Sequence, residues 1–215
     1  MNCRACKSNK MYKFLDLGNQ PPADQFREPT KINDPVVYYP LNVFICEDCG
    51  LVQLGYIVDP VILYQDNYPY ESSTTITGQK HYYDFAKSVV ESFNISSDDY
   101  VMDIGSNVGV LLQGFKNCGT KILGVDPAAN ICEIANNQGI PTYNAFFNEK
   151  VAVKLRNQYG LFSVITGTNV FAHIDDWDSL VKGVVKLLDS KKGVFIIESP
   201  HFLHLLKSLE YDTIY

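Results

Sequence analysis

Four cysteines in two local pairs, Cys3-x-x-Cys6 and Cys46-x-x-Cys49, constrain this chain more than any other feature. Each pair can grip one metal ion from a tight turn. The pairs lie 39 residues apart, so closing one tetrahedral site ties two distant segments together. Thiolates at this spacing favour Zn²⁺. All four positions are cysteine, which leaves no coordination position for water, and the metal is therefore read as structural. Residues 1–78 show few helical patterns and hold most of the ten prolines. So small a region buries little apolar surface, and a metal supplies folding energy it otherwise lacks. A redox pair and an iron–sulfur site are the alternatives. Cys118 and Cys132 stand alone and are expected to be buried small hydrophobic residues. The first residues, Met-Asn-Cys-Arg-Ala-Cys-Lys, have no apolar stretch of a secretion signal, so the expected location is cytoplasmic.

The length of 215 residues allows one large domain or two small ones. Apolar residues make up 46% and charged residues 20%, which excludes a disordered chain. Lys plus Arg is 18 against 24 Asp plus Glu, a net charge of −6. Nothing in that balance neutralises a phosphate backbone, so no nucleic-acid partner is expected. No apolar run approaches the roughly 18 residues of a membrane helix, so no membrane partner is expected either.

Beyond residue 78 the pattern alternates. Helical spacing over 79–93 places Tyr82, Phe85, Ala86, Val89, Val90 and Phe93 on one face. Strands are expected at 100–104, 121–125, 140–143, 162–166 and 193–198, and helices at 108–116, 128–137, 148–158 and 176–188. In the last helix Trp177, Leu180, Val181, Val184 and Leu188 form the apolar face, with Asp175 or Asp176 near its N-cap. The near-continuous apolar run of 193–198 suits a buried parallel strand. Alternation of this kind means a doubly wound α/β sheet.

The first strand of that sheet runs into a glycine turn, Val101-Met102-Asp103-Ile104-Gly105-Ser106-Asn107-Val108-Gly109, that opens a helix. Gly105 permits the sharp turn, and Gly109 permits a close approach to the helix. Asp126 follows at the tip of the second strand, where a carboxylate can accept both ribose hydroxyls of an adenosine. A dinucleotide site wants G-x-G-x-x-G to seat a pyrophosphate. Here the spacing is Gly105-x-x-x-Gly109, and Asp103 would repel a phosphate while suiting a cationic ligand with an amino group. S-adenosylmethionine fits this better than a nicotinamide dinucleotide; the plain alternative is a pair of turn glycines. Past the fourth strand, Asn169 and His173 fall near the same pocket, since ligands of such sheets sit at the carboxyl ends of the strands. For His173 a loop or helix-start role is the plain alternative. Phe146 or Phe147 could stack on adenine, with at least one of the two expected in the core.

Several stretches together resemble the S-adenosylmethionine-dependent sugar C-methyltransferases that act on nucleotide-linked keto-deoxysugars. They are Cys3-Arg4-Ala5-Cys6, Leu15-Asp16-Leu17-Gly18-Asn19-Gln20-Pro21-Pro22-Ala23-Asp24, Tyr39-Pro40-Leu41 and Cys46-Glu47-Asp48-Cys49-Gly50-Leu51-Val52-Gln53-Leu54. Next come Tyr68-Pro69-Tyr70-Glu71-Ser72-Ser73, the glycine turn itself and Gly124-Val125-Asp126-Pro127. Asn169-Val170-Phe171-Ala172-His173-Ile174-Asp175-Asp176, Glu198-Ser199-Pro200 and Tyr211-Asp212-Thr213-Ile214-Tyr215 complete the set. The resemblance implies a Rossmann-like class I methyltransferase sheet (αβα) at 79–215, preceded by a small zinc-binding N-terminal domain at 1–78.

The cofactor contacts expected are Asp103, Gly105, Ser106, Asn107, Gly109, Asp126, Pro127, Phe146, Asn169, Val170 and His173. The reaction implied is proton removal beside a ketone and attack of the resulting enolate on the sulfonium methyl. A phenol can donate to the enolate oxygen and stay neutral at pH 7. Tyr70 and Tyr215 are the expected donors, with Tyr68 a weaker choice. In the family the Asp-Thr-Ile-Tyr stretch continues into His-Glu-His, which supplies the base, and a C-terminal domain that helps hold the nucleotide sugar. The chain is accordingly expected to lack that half, or to meet it as a second chain, and to turn over slowly or not at all alone. Only five strands are expected against the usual seven, with 194–197 left as an apolar edge. A small-molecule O- or N-methyltransferase and a non-catalytic zinc-containing binding module are the rival readings.

Overall fold

The computed structural model describes residues 1–215 apart from 25, 65–67, 73–74 and 215, and apart from the side chain of Asp212. The chain divides into two compact units. One comprises Met1–Tyr64, Asp175–Trp177 and Pro200–Tyr215; the other comprises Gln65–Ile174 and Asp178–Ser199. Among the described residues no helix is long and apolar enough to cross a membrane.

The first unit is built on an antiparallel sheet of β1 (Met11–Gln20), β2 (Tyr39–Cys46) and β3 (Val52–Leu54), with β2 in the middle. The register slips twice along β1, between Lys13 and Leu15 and between Asp16 and Asn19. A short helix, α1 (Pro60–Tyr64), follows the sheet. Among the described residues of 1–64 only Cys3, Val43, Cys46 and Gln53 are buried. Later segments join the same unit through a few contacts. Arg4 Nε donates to Asp175 Oδ1 at 2.8 Å. Phe14 meets Phe202 of the helix Phe202–Ser208 edge-on, at 6.1 Å between centroids.

The second unit is the expected doubly wound sheet. Its strands β4 (Tyr100–Ile104), β5 (Lys121–Asp126), β6 (Thr142–Asn144), β7 (Val164–Thr168) and β8 (Val194–Glu198) are all parallel, in the order β6-β5-β4-β7-β8. The helices are α2 (Ile76–Phe93), α3 (Val110–Asn117), α4 (Ala129–Asn137), α5 (Glu149–Tyr159) and α6 (Trp177–Leu187). Strand alternation sends Met102 and Ile104 into one core with Leu155 of α5 and Leu180 of α6. It sends Val101 into a second core with Ala86 of α2, Leu112 and Phe115 of α3 and Ala135 of α4. Thr75 caps α2 by accepting the Gly78 N–H at 3.1 Å, and Asn148 caps α5 by accepting the Val151 N–H at 3.0 Å. β4 is the central strand, and the connections leave it in opposite directions. The carboxyl ends of β4 and β7 therefore form the crevice where such sheets bind ligands.

The apolar edge expected at 194–197 is borne out: β8 is the edge strand of this sheet and is half-exposed, where its apolar run taken alone suits a buried strand, and Ile197 remains 41% exposed. Two expectations need correction. On α6 the inward face is Leu180, Gly183, Val184 and Leu187, while Val181 points outward, so the apolar stripe runs one residue off its expected path at the C-terminal end. Cys118 is exposed at the C-cap of α3, whereas Cys132 is buried as expected.

At the amino ends of the strands a polar network closes the sheet. The buried Asp99 carboxylate accepts the Ser96 N–H and hydroxyl at 2.8 Å each, and also bonds Ser163 and Lys192. Burial alone would push its pKa up, but these donors outweigh it and hold it well below the usual carboxylate range. Stability from such a group is complete above the unfolded carboxylate value near 4 and is lost as pH falls through the folded-state value. Asp99→Asn is expected to cost about 1–3 kcal/mol at neutral pH. It should also flatten the acid limb of stability, as read by denaturant unfolding between about pH 3 and 7.

Candidate active site and metal centre

The two cysteine pairs converge as the spacing requires. The sulfur atoms of Cys3, Cys6, Cys46 and Cys49 all lie within 4.8 Å of one another. Cys3 Sγ is 3.5 Å from Cys49 Sγ, and Cys6 Sγ is 3.5 Å from Cys46 Sγ. Zn–S bonds of about 2.3 Å in a tetrahedron put the sulfurs about 3.8 Å apart, so the cluster fits a zinc ion. The two turns match. Cys3 O accepts the Lys7 N–H at 3.0 Å, and Cys46 O accepts the Gly50 N–H at 2.8 Å. Lys7 and Gly50, each one residue past the second cysteine, both take positive φ, 63° and 75°. The lysine does what glycine usually does at such a turn.

At the carboxyl end of β4 the glycine turn is fully self-satisfied. The Gly105 and Ser106 N–H groups both donate to Val125 O, Asn107 N–H to Asp126 Oδ2, Val108 N–H to Asn107 Oδ1, and Gly109 N–H to Ser106 O. No amide of the turn is left for a pyrophosphate, and two buried carboxylates stand beside it. Asp103 is 2% exposed, and its Oδ1 accepts the Thr166 hydroxyl at 2.7 Å. Burial pushes the Asp103 pKa up to about 7 against that bond, with the neighbouring Asp126 charge adding to the rise. Asp126 accepts Asn107 and Ala128 N–H groups at 2.9 Å each, and burial raises its pKa despite them. Ser106 Oγ is buried without a hydrogen-bond partner among the described residues. These carboxylate acceptors suit a phosphate-free cationic cofactor such as S-adenosylmethionine better than a dinucleotide.

Two glycines of the turn are required by contact as well as by angle. Gly105 has φ +67°, and a Cβ there would come within 2.6 Å of Val170 Cγ2. Gly109, the N-cap of α3, has φ +84°, and its Cβ would meet Ile140 Cγ2 at 2.6 Å. The close approach expected at Gly109 is therefore made by a core side chain.

Asn107 links this turn to the tyrosine segment. Its Nδ2 donates to Tyr70 O at 2.9 Å and its Oδ1 accepts the Ser72 N–H at 2.8 Å. Asn130 Nδ2 donates to Tyr68 O at 2.9 Å, and Tyr68 packs on Val108, Ala128 and Ile131. The rings of Tyr68 and Tyr70 stand 6.4 Å apart. Tyr70 is exposed and borders an open cleft of about 390 Å³ with Glu71, Thr75, Thr77, Gly78, His81, Tyr82, Asn169 and Glu198.

The remaining expected residues sit around the same strand ends. Asn169 has φ +56°, and its N–H donates to Glu198 O at 2.8 Å. Val170 covers Gly105, and Pro127 is half-buried beside Asp126. His173 is half-buried in a single 3₁₀ turn, and burial lowers its pKa, so the ring is neutral at pH 7. Phe146 is half-buried after β6, while Phe147 belongs to the core. Tyr215 lies outside the described residues. Sequence reasoning missed Thr166, Asn130, His81 and Tyr82, and it left Glu198 without a role. The signal available for Thr166 was a hydroxyl on the strand neighbouring Asp103.

Residues 3–64 match the family described as "Putative zinc binding domain", and residues 79–214 match the family described as "Methyltransferase domain". C-methyltransferase NovU of Streptomyces niveus is 30% identical over 213 residues, which cover 99% of this chain and 50% of NovU. The chain thus spans about half the length of that curated relative. Among solved structures, the plantazolicin methyltransferase BpumL in complex with a pentazolic desmethylPZN analog and SAH gives a TM-score of 0.51 at 14% identity. That match covers 64% of this chain and 52% of the other, and it shows a shared fold. With the cysteine cluster, the parallel sheet and the carboxylate-flanked glycine turn in place, the chain belongs to the S-adenosylmethionine-dependent methyltransferases that carry a zinc-binding domain ahead of the methyltransferase domain.

Proposed function

We propose that the chain serves transfer of a methyl group to carbon on a nucleotide-linked keto-deoxysugar, by way of an enolate. The observation that carries this reading is the tie from Asn107 to the Tyr68–Ser72 segment, which hangs Tyr70 beside the cofactor turn. The resemblance to sugar C-methyltransferases and the similarity to NovU support the carbon acceptor. In this reading Asp126 accepts the ribose hydroxyls, Asp103 faces the cofactor's amino group, and Phe146 and His173 flank the adenosine. When bound, S-adenosylmethionine supplies an electrophilic methyl on a sulfonium. Tyr70, with Tyr68 behind it, donates a hydrogen bond to the ketone oxygen as it gains charge, the contact that stabilises an enolate.

The test uses cofactor carrying a ¹³C methyl, a nucleoside-diphosphate-linked keto-deoxyhexose, and the intact polypeptide. A labelled methyl bonded to a ring carbon in the product's NMR spectrum supports the reading. A labelled methyl on oxygen or nitrogen replaces it with the O- or N-methyltransferase alternative. Cofactor binding with neither labelled product nor any binding of the sugar nucleotide favours the non-catalytic zinc-containing module.

The Asp103 assignment has its own expected result. With a pKa of about 7 in the ligand-free protein, Asp103 is mostly neutral at pH 6 and mostly ionised near pH 7.5. Only the ionised form attracts an ammonium, so cofactor affinity should rise several-fold across about pH 6 to 7.5. Calorimetry on Asp103→Asn should show weaker binding and no such rise. A wild-type affinity that is flat with pH removes Asp103 from the binding set.

A further inference from the structure

We propose that His81, held by Glu198, is a further substrate-contacting residue of this site, offering a ring nitrogen to a hydroxyl of the bound sugar. The inference rests on the sugar-methyltransferase reading above. His81 projects from the second turn of α2, and its Nε2 lies 3.0 Å from Glu198 Oε2 at the carboxyl end of β8. Residues 81 and 198 are 117 positions apart in sequence, so the pair exists only because the fold brings helix and strand end together.

Both partners are fixed. The Glu198 carbonyl accepts the Asn169 N–H at 2.8 Å, and β8 runs in register with β7 up to Thr168 and Glu198. The imidazole lies edge-on to Tyr82 at 5.2 Å and stacks with Phe85 at 6.5 Å. A carboxylate at Nε2 selects the tautomer with the proton on that nitrogen, which leaves Nδ1 as an acceptor in the neutral ring. Among the described residues Nδ1 makes no hydrogen bond, and the side chain is 54% exposed.

The cleft around it mixes phenols, a hydroxyl, an amide and a carboxylate, from Tyr70, Tyr82, Thr75, Asn169 and Glu198. Closely spaced donors and acceptors among aromatic rings match a polyhydroxylated ligand better than an apolar one. A surface histidine with only a solubility role needs neither a carboxylate anchored by a neighbouring strand nor two aromatic supports. His81 is thus a contact residue, and Glu198 a positioning residue that sets its tautomer.

The test is calorimetric binding of a nucleoside-diphosphate-linked keto-deoxyhexose to the intact polypeptide with S-adenosylhomocysteine present. Analogues lacking one sugar hydroxyl each are compared on wild type, His81→Phe and Glu198→Gln. Affinity for S-adenosylhomocysteine should be unchanged in both variants, which shows that they fold. Loss of one neutral hydrogen bond should weaken the sugar ligand roughly five- to tenfold in His81→Phe. One deoxy analogue should lose the same factor on wild type and nothing further on the variant. Glu198→Gln should shift the ¹⁵N resonances of the His81 ring toward the other tautomer. If His81→Phe binds every sugar ligand as wild type does, the pair is structural and the proposal fails alone. If wild type binds S-adenosylhomocysteine but no sugar nucleotide, the substrate reading fails and the proposal with it.

Discussion

Cys46→Ser is expected to strip the zinc and unfold the three-stranded sheet. Only four described residues of 1–64 are buried, and two of them, Cys3 and Cys46, are sulfur ligands. The metal is therefore most of this region's core. A structural zinc contributes on the order of 10 kcal/mol or more of apparent folding energy at neutral pH. Whole domains are stable by only about 5–15 kcal/mol, so no surface contact of β1–β3 can offset that loss. Metal analysis should fall from about one zinc per chain to none. Limited proteolysis should then cut first within 1–64, and a strong chelator acting on wild type should reproduce the pattern. A zinc-free variant with an unchanged cleavage pattern would show that the sheet stands without its ion.

The second large effect is expected at Asp126. Under the proposed ribose contact, Asp126→Ala takes two acceptors from the cofactor, each worth about 1.5 kcal/mol when charged. The sum corresponds to roughly a hundredfold loss of affinity. The same change orphans the N–H groups of Asn107 and Ala128, which now bond this carboxylate at 2.9 Å each. Cofactor calorimetry and thermal unfolding should therefore both report the variant, with binding hit harder. Asp126→Asn keeps one acceptor oxygen and should fall between. An Asp126→Ala protein that folds and binds S-adenosylhomocysteine within threefold of wild type would remove this residue from the ligand set.

The sequence made the parallel sheet legible because its strands and helices have different periods and its turns carry glycine or a cap. The bounds of β4 were read to the residue, since the run from Tyr100 to Ile104 is apolar apart from Asp103 and ends at a glycine. The metal ligands were legible because each pair is local. The edge position of β8 followed from the count of five strands and not from periodicity, because an apolar run looks alike in the middle of a sheet and at its border. Nor could it see α6 turn Val181 outward, since the true face uses Gly183, which carries no hydrophobic signal. Phe147 packs near the space where a Gly183 Cβ would be, at 3.1 Å.

At the site, the turn and Asp126 were readable from spacing, while the Tyr68–Ser72 segment came only through resemblance. Its place depends on hydrogen bonds from Asn107 and Asn130, made across 35 to 62 residues of chain. The same holds for His81 and Glu198, and for Thr166 beside Asp103, where a tertiary neighbour decides what a polar side chain does.

Asn107 has one further consequence, for motion. Its side chain holds Tyr70 and Ser72 while its own amide is held by Asp126 and its Oδ1 also accepts the Val108 N–H, so lifting the segment frees a side chain that supports the turn. Opening of 68–72 and loosening of 105–109 are then expected to be coupled, so the opening free energies read from Ser72 and Asn107 amide exchange should move together. A ligand bound against the turn is then expected to slow exchange at both places.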